Sequence, residues 1–342
     1  MASDPPGVAG TPRRGGTVAL FDLPLEALRE YRPVLDEPDD LEDFWAGTLS
    51  RARTHDPLLE VTAESNGLSL IETFDVTFAG HDGAPIHAWY NRPADAGPDR
   101  PVVVEYIGYG GGRGEPLERL SWAAAGYGHL LMDTRGQGSS ASPGHTADPA
   151  GSGPAAPGSL TRGIDSPETS YITRLMTDAA RAVDAARALP GADGRVAVAG
   201  ASQGGGLALA AAGLVPDVDA VISNVPFLTH MRRAVDLVDT DPYQEIVRYL
   251  AIHRDAAEQV LRTLSYVDAL HLGRRATAPA LFSVGLRDMI CPPSAVFAAH
   301  NLYGSAGPTA PEREIIVYPF NHHEGGGSLQ QRRQLDWLHE RL

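Results

Sequence analysis

Ser202 is the residue of this sequence with the clearest chemical role. It is the centre of the pentapeptide GASQG at 200–204, which follows an apolar run and precedes a stretch of glycine, alanine and leucine. A G-x-S-x-G pattern between a strand and a helix is typical of a nucleophile elbow, whose small residues let the helix pack close to the strand. The turn holds the serine hydroxyl clear of the sheet, beside helical N–H groups that can stabilise an oxyanion. The pattern therefore predicts that Ser202 is a nucleophile.

A serine hydroxyl also needs a base to remove its proton and a third group to orient that base. In α/β-hydrolases these partners follow the serine in the order acid, then histidine, each on a loop after a later strand. Asp288 follows one apolar run of this chain, and His322 and His323 follow the last one. We therefore predict that Asp288 and His323 join Ser202 at the carboxyl edge of the sheet. Order along the chain does not by itself separate His323 from His322.

Two backbone N–H groups are predicted to form the oxyanion hole. The first belongs to Gln203, since the residue after the nucleophile supplies one donor in such folds. The second is assigned to Tyr109, in the glycine-rich loop 106–112, because a glycine-rich backbone can approach a ligand closely. Losing one such donor typically lowers turnover by roughly 10²–10³.

Other polar and reactive residues near these loops are interpreted as structural. Asp133 and Arg135 follow another apolar run, and we expect them to form a buried charge pair that braces the loops. Cys291 lies close to Asp288 in the sequence, but no base is assigned to it, so it is interpreted as a small packed side chain.

The composition excludes several other classes of site. All 28 of the Lys and Arg positions hold arginine, so the chain has no P-loop lysine, pyridoxal phosphate Schiff base or Ser-Lys dyad. A net charge of −15 argues against binding to nucleic acids or to anionic membranes. The single cysteine excludes an intramolecular disulfide and zinc-finger metal sites. The first residues lack the apolar core of a signal peptide and no apolar run is long enough to span a membrane, so we expect a cytoplasmic protein.

Short apolar runs alternate with helical stretches through most of the chain. Six of these runs are typical of strands buried on both faces: Val102–Val104, His129–Met132, Val196–Ala199, Ala220–Ile222, Ala280–Val284 and Ile315–Tyr318. With a helix predicted at 175–189, where apolar residues recur every three or four positions, they predict an α/β fold with a mostly parallel sheet and helices on both faces. An antiparallel hairpin is predicted around 81–83.

The domain organisation follows from the places where this alternation is interrupted. Residues 1–16 are rich in Pro, Gly and small residues and are predicted to form a disordered tail, followed by a single domain at 17–342. Residues 143–159, rich in glycine, proline and alanine, predict a surface loop. Residues 227–277 predict a long, mainly helical insertion between two strands, placed to form a cap over the site.

Taken together, these motifs resemble carbohydrate esterase family seven, the acetyl xylan esterases and cephalosporin C deacetylases. The resemblance runs from about Leu20 to the C-terminus. Three motifs carry it: Arg135-Gly136-Gln137, GASQG at 200–204, and His323-Glu324. It implies an α/β-hydrolase fold with a helical insertion near the active site. The chain departs from the family at Gly110, where an asparagine often follows the tyrosine of the oxyanion loop.

The resemblance also assigns roles at the site. The family's base directly precedes a glutamate, which selects His323, so the implied triad is Ser202, Asp288 and His323. The implied oxyanion donors are the backbone N–H groups of Tyr109 and Gln203. The resemblance further implies that the substrate is a small-molecule ester with a short acyl group, chiefly acetyl. It implies hydrolysis without a cofactor by an intracellular homo-oligomer, typically a hexamer.

From these assignments we expect two-step acyl transfer through an acetyl-enzyme. An acyl pocket closed by the Tyr109 loop and by Pro226 and Phe227 would restrict the acyl group to acetyl. Two other functions stay open: a different α/β-hydrolase esterase or prolyl-type peptidase, and a catalytically inactive module for binding or assembly. Acyl transfer to hydrogen peroxide would be a side activity of the same acyl-enzyme.

Overall fold

A central β-sheet organises the part of the chain that the computed structural model describes, residues 21–95, 97 and 99–342. Its strands are β1 (Leu58–Glu64), β2 (Ile71–Ala79), β3 (Pro85–Pro93), β4 (Arg100–Tyr106), β5 (Gly128–Met132), β6 (Ala192–Ala201), β7 (Ala220–Asn224), β8 (Ala280–Gly285) and β9 (Arg313–Tyr318). In these residues they form one nine-stranded sheet in the order β1-β2-β3-β5-β4-β6-β7-β8-β9. Pairing is antiparallel from β1 to β5 in that order and parallel from β5 to β9. The predicted mostly parallel sheet is confirmed.

Helices cover both faces of this sheet. They are α1 (Leu25–Glu30), α2 (Leu41–Ala52), α3 (Ser121–Ala124), α4 (Tyr171–Ala188), α5 (Gln203–Leu214), α6 (Met231–Leu237), α7 (Tyr243–Ile252), α8 (Ala257–Tyr266), α9 (Ala269–Gly273), α10 (Pro293–Leu302) and α11 (Gly327–His339). Residues of α4, α5 and α10 share one apolar cluster with the sheet, and residues of α3 and α11 share a second cluster with it.

The middle strands are buried on both faces because successive side chains point to opposite sides of a sheet. In β4, Val102 and Val104 belong to the cluster that contains α4 and α5, whereas Val103 belongs to the cluster that contains Trp337 of α11. Both environments are apolar, so the centre of β4, Val102–Val104, is a continuous apolar run and not an alternating one.

Glycines let α5 pack directly against the strand ends. A Cβ atom on Gly204 would lie 2.1 Å from the carbonyl oxygen of Tyr106, and one on Gly206 would lie 2.1 Å from that of Phe227. No larger residue fits at either position without moving the backbone. The start of α5 is therefore held at the carboxyl ends of the central strands, where the neighbouring loops converge.

The segment between β7 and β8, where the sequence predicts a helical insertion, contains helices α6 to α9. Asp268, the N-cap of α9, ties this segment together, because its carboxylate accepts hydrogen bonds from the N–H groups of His230 and Met231 at 2.9 and 2.7 Å. Residues 143–159 contain no helix or strand, as expected of a loop. The predicted hairpin is present, with Phe78 of β2 opposite Ile86 of β3.

Strand β1 is an element that the sequence does not predict. It is an edge strand whose side chains are mostly exposed, so it lacks the alternation of apolar and polar residues that marks a half-buried strand. The predicted tail at 1–16 lies outside the described residues. None of the helices in the described part of the chain has the length and apolar character needed to cross a membrane.

Candidate active site

Ser202 occupies a strained backbone conformation between β6 and α5. Its φ and ψ angles are +57° and −122°, in a region that residues other than glycine rarely adopt. Three backbone hydrogen bonds hold the turn: Ser202 N–H donates to Asn224 O at 3.0 Å, and Ser202 O accepts from Gly206 N–H at 3.1 Å and Phe227 N–H at 2.9 Å. The elbow that the sequence predicts is therefore fixed by the loop after β7 as well as by its own helix.

Asp288 and His323 form a hydrogen-bonded pair on neighbouring loops. Asp288, fully buried after β8, accepts a hydrogen bond from His323 Nδ1 at 2.8 Å through Oδ2. Its other oxygen accepts from the N–H groups of Ile290 and Cys291 at 2.8 and 2.9 Å. These donors fix the carboxylate, which in turn fixes the imidazole; in the described part of the chain, Nε2 has no hydrogen-bond partner. His322 instead directs Nδ1 to the carbonyl of Arg287 at 2.9 Å, and within the described residues it makes no hydrogen bond to the Asp288 carboxylate.

Ser202 and His323 line one open cleft of about 560 Å³ at the carboxyl edge of the sheet. Tyr109 of the glycine-rich loop, Val225 and Ile290 line the same cleft. No hydrogen bond joins Ser202 to His323 within the described residues. Catalytic hydrogen bonds in free enzymes often form only when substrate is bound. The structure thus brings the three residues of the predicted triad to one place.

The two N–H groups predicted as oxyanion donors also lie at this edge. Gln203 is the first residue of α5, and Tyr109 lies in the loop after β4. A Cβ atom on Gly108 would lie 4.0 Å from the Cβ atom of Ser202, so this loop passes directly beside the nucleophile. Within the described residues, neither N–H has a hydrogen-bond partner. Both are available to a ligand atom.

Gln137 of the predicted structural motif joins the two loops that carry these donors. Its Oε1 accepts a hydrogen bond from Gly110 N–H at 2.6 Å, and its Nε2 donates to Gln203 Oε1 at 2.9 Å. Nε2 also lies 2.9 Å from the hydroxyl oxygen of Tyr171, which donates to the carbonyl of Arg135 at 2.6 Å. The motif therefore holds the oxyanion loop and the elbow at a fixed separation.

Comparison with known proteins identifies the family. The family model described as acetyl xylan esterase (AXE1) matches residues 18–341. The chain belongs to the acetyl xylan esterase family. It is therefore a carboxylic ester hydrolase with the α/β-hydrolase fold, as the resemblance implies.

Two solved structures and a relative agree with this membership of the acetyl xylan esterase family. The acetyl xylan esterase from Paenibacillus sp. R4 is 36% identical, with a TM-score of 0.86 over 94% of this chain and 100% of that one. Acetyl xylan esterase 1 from Thermoanaerobacterium sp. JW/SL YS485 is also 36% identical, with a TM-score of 0.83 over 92% and 99% of the two chains. The acetyl esterase Axe7A of Xylanibacter ruminicola is 28% identical over 319 residues, 91% of this chain and 69% of that protein.

The predicted charge pair between Asp133 and Arg135 is wrong for this esterase. Asp133 is fully buried and accepts hydrogen bonds from backbone N–H groups, including that of Arg113 at 2.9 Å. Arg135 instead binds both oxygens of Asp178 on α4, at 2.5 and 2.6 Å, and reaches Asp148 at 3.3 Å. Burial opposes the charge, but the two carboxylates raise the pKa of the Arg135 guanidinium above its ordinary value. A partner 43 residues away on a helix is not visible in the sequence.

Pro226 and Phe227, which the sequence predicts to close the acyl pocket, do not line the cleft of this esterase. Pro226 and Phe227 are both buried behind it, and the Phe227 ring packs edge-on against Tyr109 at 6.1 Å between ring centroids. The apolar residues that line the cleft include Val225, Pro242, Ile290, Trp122 and Ile222, which sequence reasoning missed. Phe227 packs against Tyr109, which does line the cleft.

Cys291 fits its interpretation as a packed side chain of the esterase core. It is fully buried, and burial together with the charge of Asp288 raises the pKa of its thiol well above the ordinary value, although the Ser202 hydroxyl opposes this. Its sulfur, a carboxylate oxygen of Asp288 and a ring nitrogen of His323 lie within 4.8 Å of one another. Since metals bind the thiolate, a protonated thiol is a poor ligand, and the Asp288–His323 hydrogen bond already uses the other two groups.

Proposed function

We propose that this protein removes acetyl groups from acetylated xylo-oligosaccharides and from cephalosporin C-type acetyl esters, with Ser202 as nucleophile. The observation that carries the proposal is the 2.8 Å hydrogen bond between Asp288 and His323, in a cleft that Ser202 also lines. The names of the similar proteins, acetyl xylan esterases and an acetyl esterase, support acetyl as the acyl group.

In the first step, His323 Nε2 takes the proton of the Ser202 hydroxyl while Oγ attacks the ester carbonyl. Asp288 holds the imidazole in the tautomer with the proton on Nδ1 and stabilises the imidazolium that forms. The N–H groups of Tyr109 and Gln203 donate to the oxyanion. The imidazolium then returns its proton to the departing alcohol, leaving an acetyl-enzyme.

In the second step, His323 takes a proton from a water molecule that attacks the acetyl-enzyme carbonyl. The same N–H groups stabilise the second oxyanion, and its collapse releases acetate and restores the Ser202 hydroxyl. No step needs a cofactor, because both half-reactions are proton and acyl transfers.

The shape of the cleft supports a small acyl group and a large, polar alcohol. Val225, Pro242 and Ile290 supply an apolar wall near the nucleophile, which suits a methyl group. The 560 Å³ cleft also carries polar side chains, among them Glu105, Arg119, Asn224, Gln331 and Gln334, beside the apolar Trp122 and Ile222. Carboxylate, guanidinium and amide groups suit the hydroxyl-rich alcohol of a sugar ester.

The test is hydrolysis of p-nitrophenyl acetate, butyrate and octanoate by the wild type and by Ser202→Ala, followed by acetate release from cephalosporin C and acetylated xylo-oligosaccharides. We expect activity to fall steeply with acyl length and to drop by several orders of magnitude in the variant. Ser139→Ala, outside the cleft lining, serves as the matched control and keeps its activity. An octanoate rate equal to the acetate rate would refute the acyl assignment, and an active Ser202→Ala would refute the mechanism.

A further inference from the structure

Glu245 of α7 is a buried acid that the proposed mechanism does not use. Glu245 is 3% exposed, and it forms no salt bridge among the described residues. An isolated buried carboxylate is costly unless hydrogen bonds satisfy it. Burial raises the pKa of Glu245, and its hydrogen bonds to Tyr109 and to the N–H of Leu160 partly offset the rise. A helix of the insertion thus holds a buried acid that is satisfied by hydrogen bonds and not by an ion pair.

The carboxylate of Glu245 joins the oxyanion loop to the loop at 158–160. The Tyr109 hydroxyl donates to Oε1 at 2.5 Å, and Leu160 N–H donates to Oε2 at 2.9 Å. The Tyr109 oxygen in turn accepts from Ser159 N–H at 2.6 Å. A Cβ atom on Gly158 would lie 2.1 Å from the Glu245 carboxyl group, so glycine permits this close approach. Three segments, the helix α7, the loop at 158–160 and the oxyanion loop, meet at one carboxylate.

Tyr109 lies between two glycines, and within the described residues its own N–H has no partner, so its side chain adds an anchor beside the hydrogen bond that Gly110 N–H donates to Gln137. Gly108 precedes it, and Gly110 follows it with a φ of +81°. Its ring packs against Phe227 from one side, but a ring contact does not fix the position along the loop. Burial, and then the Glu245 charge, raise the pKa of the Tyr109 phenol, so it stays a hydrogen-bond donor. A shift of about 1 Å at a catalytic group can cost on the order of 10² in rate.

We propose that Glu245 is a positioning residue for the oxyanion hole: by binding the Tyr109 hydroxyl it holds the Tyr109 N–H where the oxyanion forms. This inference rests on the proposed function, since it assumes that the Tyr109 N–H is an oxyanion donor. The link makes the helical insertion part of the catalytic apparatus. The 158–160 loop enters the same link through the N–H groups of Ser159 and Leu160.

The test compares kcat and KM of Glu245→Ala, Glu245→Gln, Tyr109→Phe and the double variant Tyr109→Phe/Glu245→Ala with p-nitrophenyl acetate. Tyr109→Phe keeps the backbone N–H and the ring and loses only the hydroxyl. We expect kcat to fall about 10- to 100-fold in Tyr109→Phe and Glu245→Ala, with KM changed less than about threefold. Glu245→Gln keeps one acceptor oxygen and an amide that can donate to the phenol, so it recovers part of the loss.

The double variant separates positioning from general damage to the fold. Because both residues act through one hydrogen bond, we expect its kcat loss to equal the larger single loss and not the product of the two. Tyr249→Phe is the matched control, since it removes a 3.2 Å hydrogen bond from the same helix to Asp165 without touching Tyr109. Its kcat is expected to stay within about twofold of the wild type.

Two results would overturn the proposal: unchanged kcat in both single variants, or losses that multiply in the double variant. If Glu245→Ala does not fold, Tyr109→Phe, which changes one hydroxyl, decides the question alone. The wild type and Ser202→Ala are measured in the same series. An active Ser202→Ala would refute the proposed function, whereas unchanged kcat in the Glu245 and Tyr109 variants with inactive Ser202→Ala would refute only the positioning role.

Discussion

Replacing Asp288 with asparagine changes a single atom type at the centre of the site. Its Oδ1 can keep the hydrogen bonds from the N–H groups of Ile290 and Cys291, at 2.8 and 2.9 Å. Those donors fix the orientation of the new side chain, so its NH2 group must face His323 Nδ1. Two donors cannot share that 2.8 Å contact, and the imidazole must move its proton to Nε2. An Nε2 that already carries a proton cannot take the proton of Ser202.

The size of the effect follows from this forced tautomer. Loss of the base in the same arrangement lowers kcat by roughly 10⁴ in triad enzymes, which corresponds to about 5 kcal/mol of transition-state stabilisation. The effect on folding is smaller. Three charge-assisted hydrogen bonds of the carboxylate become neutral ones, so we expect the free energy of unfolding to fall by about 1–3 kcal/mol.

The assay is p-nitrophenyl acetate hydrolysis at neutral pH, with thermal unfolding measured on the same samples. Asp268→Asn is the matched control, because Asp268 is also buried and also accepts backbone hydrogen bonds, from His230, Met231 and Leu270. It should lose stability but keep its kcat. If Asp288→Asn kept more than about a tenth of the wild-type kcat, the account of His323 as a base oriented by Asp288 would be wrong.

Three other predictions concern the fold around the site. Gly204→Ala should lower the free energy of unfolding, measured by urea titration, by about 3 kcal/mol or more, because the alanine Cβ would lie 2.1 Å from the Tyr106 carbonyl oxygen. A variant as stable as the wild type would contradict the close packing at the elbow. Arg135→Met should cost about 3–5 kcal/mol in the same titration, because it leaves the buried Asp178 carboxylate without its ion pair, while Asp148 keeps its pair with Arg174. Arg53→Met, from a part-exposed pair with Asp184, should cost less than about 1 kcal/mol; equal losses would count against the buried pair. Native Cys291 should resist Ellman's reagent at neutral pH and react after unfolding, because its raised pKa and burial leave little accessible thiolate; rapid labelling of the native protein would show otherwise.

The elements that carry the site could be predicted because their signals are local. Buried parallel strands such as β4 are apolar on both faces and stand out as continuous runs, and the elbow at Ser202 needs small residues at fixed positions. Because Asp288 and His323 each follow the end of a strand, the sequence was enough to predict that they meet at one edge of the sheet. The sequence left open whether His322 or His323 is the base. The answer depends on which imidazole reaches the Asp288 carboxylate, and therefore on the direction of two side chains on one loop.

The features that sequence reasoning missed depend on contacts between distant segments. Arg135 pairs with Asp178 of α4, not with its sequence neighbour Asp133, because its side chain points across the loop to the helix. Phe227 follows a strand end, as a pocket residue often does, but lies behind Tyr109. Glu245 carries no local signal, since a glutamate in a helix is ordinarily a solvated residue. Its role becomes visible only in the folded structure, where it accepts a hydrogen bond from Tyr109, 136 residues away in the sequence.

The most direct test of the central claim, that Ser202 is the nucleophile of an esterase, is labelling with a fluorophosphonate followed by peptide mapping by mass spectrometry. The reagent reacts with serines activated by a base and an oxyanion hole. The account predicts one phosphonyl group per chain, on Ser202, with esterase activity lost in proportion to labelling and no label on Ser202→Ala. Activity that persists with Ser202 fully labelled, or activity lost while the label lies on another residue, would contradict it.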